Sequence, residues 1–433
     1  MGQDAASKAA AVINTNVSRK RKNRHRQTMS NKTIANFFIY SSLIILGVFI
    51  ACVYFDGYTF WGYSDIKYDV TGQVGDFIGG VVGTIISAAG FYFLYLTFNE
   101  QRTSFERERL ESKFFDLIKL HRENVAEMKF DGTKLKEDED SLFIENTMYE
   151  GKSVFKVIFN QFIILKNELN PFFKKGKMFR PEYEVELMKN PFIIINKINI
   201  TVLAKVDICY CIVFYGLSSE GLLTLEEMFK KKYKDKFVND ILRFISLKPS
   251  NDGVILEKWK AISNRNTRGK RNDLVELIYN WRKTKKIPAG SEFSEIADGY
   301  HNRFIKYYGG HQFRLGHYYR HLFQTVKFIN SSTNNSYKEK YDYIKTLRAQ
   351  LSAYEQAVLF LNSLSKMGET WEIFPEINSE LKTFDKHDFE LITKYNLIKN
   401  LPGEAIYGIH FKEFYRNIEY ESDGIQKKRQ TYK

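Results

Sequence analysis

"TLRAQLSAYEQAVLFLNSLS", residues 346–365, has the spacing of a buried amphipathic helix. Its apolar side chains recur three and four positions apart, and it contains neither Gly nor Pro. Four polar residues interrupt this pattern, and on one continuous helix they would form a line along an otherwise apolar rod. Buried polar groups need partners, so the stretch predicts a helix that faces another polar surface. The four residues are Arg348, Ser352, Glu355 and Asn362.

The composition extends this helical pattern to the whole chain. The 433 residues are 44% hydrophobic and 27% charged, which is enough for a large core, and only seven are proline. Cys52, Cys209 and Cys211 provide neither a disulfide framework nor a ligand set for zinc. We therefore predict an all-α protein of two or three structural units, without a metal site or a cofactor site.

Two uncharged runs near the N-terminus predict a membrane hairpin. Residues 34–55 and residues 77–98 are each apolar and long enough to cross a hydrocarbon layer of roughly 30 Å as a helix. Lys and Arg cluster before the first run, arginines follow the second, and the loop between them carries mainly aspartate. By the positive-inside rule, this distribution places both termini in the cytoplasm.

The predicted organisation follows from this hairpin and locates the protein in the bacterial inner membrane, with the lipid bilayer as a partner. The basic N-terminal segment is interpreted as a topology signal that also contacts anionic lipid. Residues 131–150 are acidic and weakly periodic, which predicts a loop within the body. The predicted parts are a basic cytosolic segment (1–33), the hairpin (34–98), a helical cytosolic domain (99–420) and a polar tail (421–433).

Small residues form a line along the second predicted span, at Gly79, Gly83 and Ser87. Such lines let helix backbones approach closely in lipid. One interpretation is that the hairpin packs on itself through this line. The other is a homo-oligomer, which would surround a conducting pathway in the membrane.

A second amphipathic stretch, residues 313–329, carries the densest set of acid–base side chains in the sequence. On a helix, Arg314, His317 and His321 lie on one face, away from an apolar face. Across a helix pair they would meet Arg348, Glu355 and Asn362. The contact would be either a structural polar network or a reactive site, in which a His beside a carboxylate acts as acid or base and an Arg holds a phosphate. The apolar face consists of Tyr318, Leu322, Val326 and Ile329.

Four stretches in this order resemble the phage abortive infection (AbiC-like) proteins of bacteria, over residues 67–374 or so. The resemblance implies an anti-phage role, in which an infected cell shuts down before the phage matures. It supplies no mechanism and no cofactor. The stretches are "TGQVGDFIGGVVGT", "YLTFNEQRTSFERERLESKFFDLIKLHRENV", "GHYYRHLFQTVKFI" and "LRAQLSAYEQAVLFLNSLS".

The arrangement of Arg314 and His321, separated by six residues, is similar to the motif of HEPN ribonucleases. That similarity implies that His321 serves the attack of an RNA 2′-hydroxyl, that Arg314 steadies the phosphate, and that His317 is auxiliary, all without a metal ion. The sequence departs from the motif at Leu315, where such enzymes often carry a polar residue.

Three hypotheses for the function remain open at this stage. The first is a membrane-anchored defence protein that acts through interactions of its cytosolic domain, including contact with a phage component. The second is a membrane-tethered, HEPN-like ribonuclease with RNA as its partner and a catalytic set of Arg314, His317, His321 and Glu355. The third is an oligomer that disrupts the membrane. We adopt abortive infection by a membrane-anchored protein as the prediction, and leave open whether it is an enzyme.

Overall fold

The chain divides into two compact units, Met1–Lys113 and Phe114–Lys433. The predicted basic segment, the loop from residue 56 to residue 67 and most of the polar tail lie outside the described residues. The computed structural model describes residues 36–52, 54–55, 68–138, 141–173, 178–250, 252–264, 268–284, 296, 300, 303–373 and 390–424.

The first unit consists of apolar helices. Helix α1 (Asn36–Cys52) is followed by α2 (Tyr68–Phe77), a π-helical turn (Ile78–Val82) and α3 (Gly83–Ala126). Phe49 of α1 stacks on Phe77, with 4.0 Å between the ring centroids. Helical structure is therefore confirmed for the described parts of residues 34–55 and 77–98.

One described helix is long and apolar enough to cross a membrane, and it runs from Gly75 to Ala126. Helix α1 is apolar but shorter. The second predicted crossing therefore stays a prediction. The predicted line of small residues traverses the π turn: a Cβ at Gly79 would meet nothing within 4 Å, and Ser87 is exposed. The buried residues of this helix in the first unit are Val82 and Ala89, which are not members of the predicted line.

After the C-terminal part of α3, the second unit contains the one element that the sequence predicted wrongly as a loop. Strands β1 (Lys129–Asp138) and β2 (Ser141–Glu150) form an antiparallel hairpin whose register pairs Lys129 with Glu150. The acidic composition of residues 131–150 suggested a loop, but the backbone hydrogen bonds of an antiparallel pair do not depend on apolar side chains, and the two strands pair along their whole length. Among the described residues, these are the two strands of the one sheet.

The core of the second unit is helical, as predicted. Helix α4 (Lys152–Leu169) packs against α7 (Ile200–Tyr215) and against α14 (Ala353–Ser363). Helix α7 is apolar all round because it is buried on nearly every side. The remaining helices are α5 (Pro181–Lys189), α6 (Pro191–Asn196), α8 (Ser219–Lys230), α9 (Asp235–Ile245), α10 (Gly253–Ser263), α11 (Arg268–Thr284), α12 (Gln312–Asn330), α13 (Tyr337–Arg348), α15 (Leu391–Lys394) and α16 (Phe411–Phe414).

The one carboxylate on α7 is fully engaged. Asp207 accepts hydrogen bonds from the Lys232 Nζ at 3.0 Å, the Tyr233 hydroxyl at 2.9 Å and the Lys366 amide at 2.7 Å. A buried charge with this many donors is compensated. Helix α7 is therefore a buried helix of the second unit despite its polar residues.

The opening stretch is not one helix. Helix α13 ends at Arg348, and α14 begins after Ser352. Ser352 caps α14 in a capping box, in which its side chain accepts from the Glu355 amide and the Glu355 carboxylate accepts from the Ser352 amide. The prediction of a continuous polar line was wrong because Ser352 and Glu355 have the spacing of a helix start, three residues apart. The apolar spacing continues through residues 346–365, so the capping-box spacing of Ser352 and Glu355 was not recognised.

Close backbone packing fixes the start of α12. Gly310 has φ +89°, and a Cβ there would lie 2.6 Å from the Tyr215 carbonyl oxygen at the end of α7. Gly216, with φ +74°, approaches Gly309 just as closely. The amide of His311 then donates to the Phe214 carbonyl at 2.8 Å. The end of α7 therefore sets where α12 begins and which face it turns inward.

We predict that Gly310→Ala destabilises the second unit by roughly 1–3 kcal/mol, since it adds backbone strain and a steric overlap. Gly309→Ala is the matched control, because its Cβ would meet nothing within 4 Å. Thermal unfolding of the two purified variants measures the difference. Equal melting temperatures would contradict the proposed role of this contact.

Candidate functional site

Helix α12 turns its predicted apolar face inward. Tyr318, Leu322, Val326 and Ile329 are all buried, as the sequence predicted. The other predicted face carries Arg314, His317 and His321, which differ in their surroundings: the first and third are half-buried and the second is exposed. The structure thus keeps the three side chains on one helix face but places them in three different environments.

Arg314 is anchored to the β hairpin. Its Nε donates to the Lys129 carbonyl oxygen at 2.5 Å, and its guanidinium lies 5.2 Å from the ring centroid of Phe130. The same ring lies 5.0 Å from the imidazole of His311. The hairpin that the sequence analysis missed therefore forms one wall beside Arg314.

His321 points toward a second histidine that the sequence analysis did not select. His121 of α3 is buried, and its ring centroid lies 6.4 Å from that of His321 and 5.2 Å from that of Tyr318. The two nitrogens of each imidazole are buried and have no hydrogen-bond partner among the described residues. A histidine on the apolar stripe of α3, seven residues after Phe114, was the signal that could have identified His121.

Glu355 joins this cluster from α14. It is completely buried, and its carboxylate accepts from the Tyr318 hydroxyl at 3.2 Å and from the Ser352 amide at 2.7 Å. One oxygen also lies 3.9 Å from the Nε2 of His121. We call His121, Tyr318, His321 and Glu355 the histidine cluster. It joins α3, α12 and α14.

The other members of the predicted polar line lie elsewhere. Arg348 is buried and donates to the carbonyl oxygens of Tyr395 and Asn396, at 3.1 and 3.0 Å. Asn362 donates to the Tyr210 hydroxyl at 3.2 Å. The expected meeting of Arg348 and Asn362 with the polar face of α12 is therefore wrong. The break after Arg348 turns that side chain away, and Asn362 lies two turns along α14 from Glu355, where it meets α7.

Burial keeps the histidines neutral. The pKa of His121 is lowered to about 4, mainly by burial and in smaller part by the neighbouring His321, Lys152 and Arg122. The pKa of His321 is also lowered, first by burial and then by His317. The pKa of His311 falls to about 3 for the same main reason, burial. At neutral pH the histidine cluster therefore contains uncharged imidazoles, of the kind that accepts a proton in general-base chemistry.

Cations lie at the edge of the cluster. Arg122 donates through Nε to the Gln350 side chain at 3.0 Å, and Lys152 donates to the Gln350 carbonyl oxygen, also at 3.0 Å. These contacts hold the short connection between α13 and α14 against α3 and α4. Both cations also act on His121, so positive charge borders this part of the cluster, an arrangement that suits a phosphate-bearing ligand.

The members of the histidine cluster are not placed to hold a metal ion together. Among the described residues, no group of three or more His, Cys, Asp or Glu is placed to hold a metal ion. Its chemistry is therefore that of neutral imidazole, a capped carboxylate and flanking cations. The ring nitrogens of His321 are covered in this conformation, whereas His317 is open to solvent. A ligand at the surface would meet His317 and Arg314 first.

Comparison with known proteins locates the same part of the chain. Residues 310–406 match the family model described as "Putative phage abortive infection protein". The match begins at Gly310 and includes α12, α13, α14 and α15, and it confirms over this range the resemblance drawn from the sequence. No curated protein and no solved structure gave a significant match.

We predict that the contribution of His121 to the stability of the second unit is lost as the pH falls from about 6.5 toward 4. In that range the unfolded chain protonates His121 while burial keeps the folded form neutral, so the stability present above pH 6.5 is progressively lost. The contribution of His121 is on the order of 3 kcal/mol. His121→Gln removes this titration, and the unfolding free energy of the variant, measured by urea titration, should change less over this pH range. A wild-type slope in His121→Gln would contradict the prediction.

Proposed function

We propose that this chain is a membrane-anchored protein of bacterial abortive infection, which acts in infected cells through its cytosolic helical body. The observation that carries the proposal is the family match over residues 310–406, which covers α12 and α14, two of the three helices of the histidine cluster. The same chain contains a helix long and apolar enough to span a membrane. The role in defence is thus supported by the family match, and the anchoring is supported independently by the apolar helix.

The anchoring rests on two observations. The helix from Gly75 to Ala126 is apolar in its first half, and its apolar side chains there are exposed, as lipid contact requires. The run 34–55 is uncharged beyond both ends of α1, which would extend that helix to the length of a second span. Two crossings, with Lys and Arg before the first and after the second, place both termini in the cytoplasm.

Topology mapping tests this arrangement. We expect a reporter enzyme that is active only outside the cytoplasm to be inactive when fused after residue 33 or residue 420, and active when fused after residue 65. The reason is that each crossing reverses the side of the membrane, and two crossings return the chain to the cytoplasm. Activity at residue 420 would instead indicate a single crossing and would overturn the hairpin.

The cytosolic helical domain contains the residues that would act in defence. Its face of α12 combines an exposed imidazole, a partly buried arginine and a neutral histidine whose nitrogens have no partner among the described residues. Structural histidines inside a core usually find a hydrogen-bond partner, because an unsatisfied buried polar group is costly. The lack of partners for the imidazole nitrogens of His121 and His321 therefore supports a role of these residues in binding or chemistry. Such a role explains why the protein keeps two buried groups that lower its stability.

The effect of substitutions on α12 tests the role of this face. We expect Arg314→Ala and His317→Ala to restore phage plating by about tenfold or more, since each removes a group that a ligand would meet. Gln312→Ala is the matched control, because it is an exposed polar residue of the same helix about 160° round from Arg314. Plating efficiency and survival of infected cells are measured at equal protein levels. Full protection by both variants would remove this face from the mechanism.

A membrane-tethered ribonuclease is the second candidate, and one observation favours it. Arg314 and His321, seven positions apart, lie on one face of α12, and the lowered pKa of His321 suits a general base. Sequencing of RNA ends after infection, with the same variants and His321→Ala, distinguishes a ribonuclease from a protein that acts by interaction alone. New cleavage sites that appear only with the unsubstituted chain support the ribonuclease. Intact RNA together with a collapse of membrane potential would favour disruption of the membrane.

A further inference from the structure

One face of α3 carries large apolar side chains that nothing in the described part of the chain covers. Phe91, Leu94, Phe98 and Phe105 are all exposed. Their spacings of three, four and seven residues are those of alternating a and d positions in a heptad repeat. Thr84 and Ser87 continue the same register toward the N-terminal end of the helix, and both are exposed. We call the face from Thr84 to Phe105 the heptad seam.

The seam is distinct from the face that packs within the chain. The buried residues of this helix in the first unit are Val82 and Ala89. At 100° per residue, Ala89 and Phe91 lie about 200° apart, on opposite sides of the helix. The packing of the first unit therefore leaves the heptad seam facing away from its own buried side.

Lipid accounts for only part of this exposure. Phe91, Leu94 and Phe98 lie within the predicted span, where an apolar surface is expected. Phe105 lies one heptad beyond the end of that span and is 66% exposed. Its neighbours are charged: Arg102 and Glu106 form an ion pair at 3.4 Å, and Arg107 follows. An aromatic ring among charges, about 10 Å beyond the end of the predicted span, is favourably covered by protein.

The pattern identifies the occupant as a second copy of the same helix. A heptad seam is self-complementary, because each a or d side chain inserts between seam residues of an equivalent helix. Every position of this seam from Thr84 to Phe105 is uncharged, and the next d position, Glu108, ends it. Gln101, a d position beyond the predicted span, is polar but uncharged, so two copies can hydrogen-bond to each other there.

The membrane part of the seam is suited to the same contact. Its first positions are Thr84 and Ser87, and the flanking positions include Gly83, Ala88 and Gly90. Small side chains permit close approach of two helices in lipid, where packing drives association. Larger aromatic residues follow at the cytoplasmic end, where burial of their apolar surface would further stabilise the helix pair.

We propose that α3 pairs with α3 of a second copy as a parallel two-stranded coiled coil along Thr84–Phe105. The parallel orientation rests on the proposed function, because two copies anchored with the same topology can align their helices only in parallel. The pairing itself rests on the seam. An error in the topology would appear in the reporter fusions, whereas an error in the pairing appears in the experiment below.

Cysteine cross-linking of the full chain in its membrane tests the proposal. The background variant is Cys52→Ser, because Cys52 is exposed whereas Cys209 and Cys211 are buried. Gln101→Cys and Phe105→Cys place a thiol on the seam. Thr103→Cys is the matched control, since it is an exposed residue of the same turn on the opposite side of the helix. Two differently tagged copies of each variant are produced together.

We expect dimers carrying both tags from the two seam variants, with a yield at least about tenfold above that of the control. Adding Phe105→Glu to the Gln101→Cys variant should abolish most of this product, because it places two like charges in the seam. Equal yields from seam and control positions would overturn the proposal. So would products that contain one tagged chain joined to a different protein, or products of trimer size.

Discussion

The organisation of the body depends on one buried carboxylate. Glu355 closes the capping box of α14, accepts a hydrogen bond from Tyr318 of α12 and lies 3.9 Å from His121 of α3. A carboxylate without exposure is tolerable only when donors surround it. It therefore requires three helices to meet at one point, and it requires the chain to break before Ser352 so that a free helix terminus is present there.

This constraint explains why the histidine cluster combines structural and chemical properties. The donors that satisfy Glu355 come from a tyrosine and from the backbone, so the two imidazoles are left without partners among the described residues. They remain neutral because charging them inside the core would be costly. The exposed part of the same helix face carries Arg314, which the β hairpin holds, and His317, which is free to meet solvent. The site thus consists of a rigid buried half and an accessible half.

The sequence predicted those features that follow from periodicity. The helical class, the position of α12 and the inward direction of Tyr318 and Leu322 all emerge from apolar spacing. Periodicity failed where local hydrogen bonding decides the structure. The apolar spacing continues across residues 346–365, so it gave no sign of the helix cap formed by Ser352 and Glu355. The pairing of β1 with β2 has no strong apolar pattern in the sequence. His121 was missed because proximity across 200 or so residues of chain is a tertiary property that spacing along one helix does not encode.

The π-helical turn between Ile78 and Val82 alters how the membrane segment of this chain can be compared with other sequences. A π turn accommodates an extra residue within an otherwise continuous helix, since its hydrogen bonds close over five residues instead of four. Gly79 and Gly80 lie inside it, and Thr84 donates its hydroxyl to the Gly80 carbonyl oxygen just beyond it. A helical wheel drawn straight through the segment is therefore out of phase on one side of the turn. Related chains that lack the extra residue would align with a one-residue gap here, while keeping the same faces of the helix on both sides.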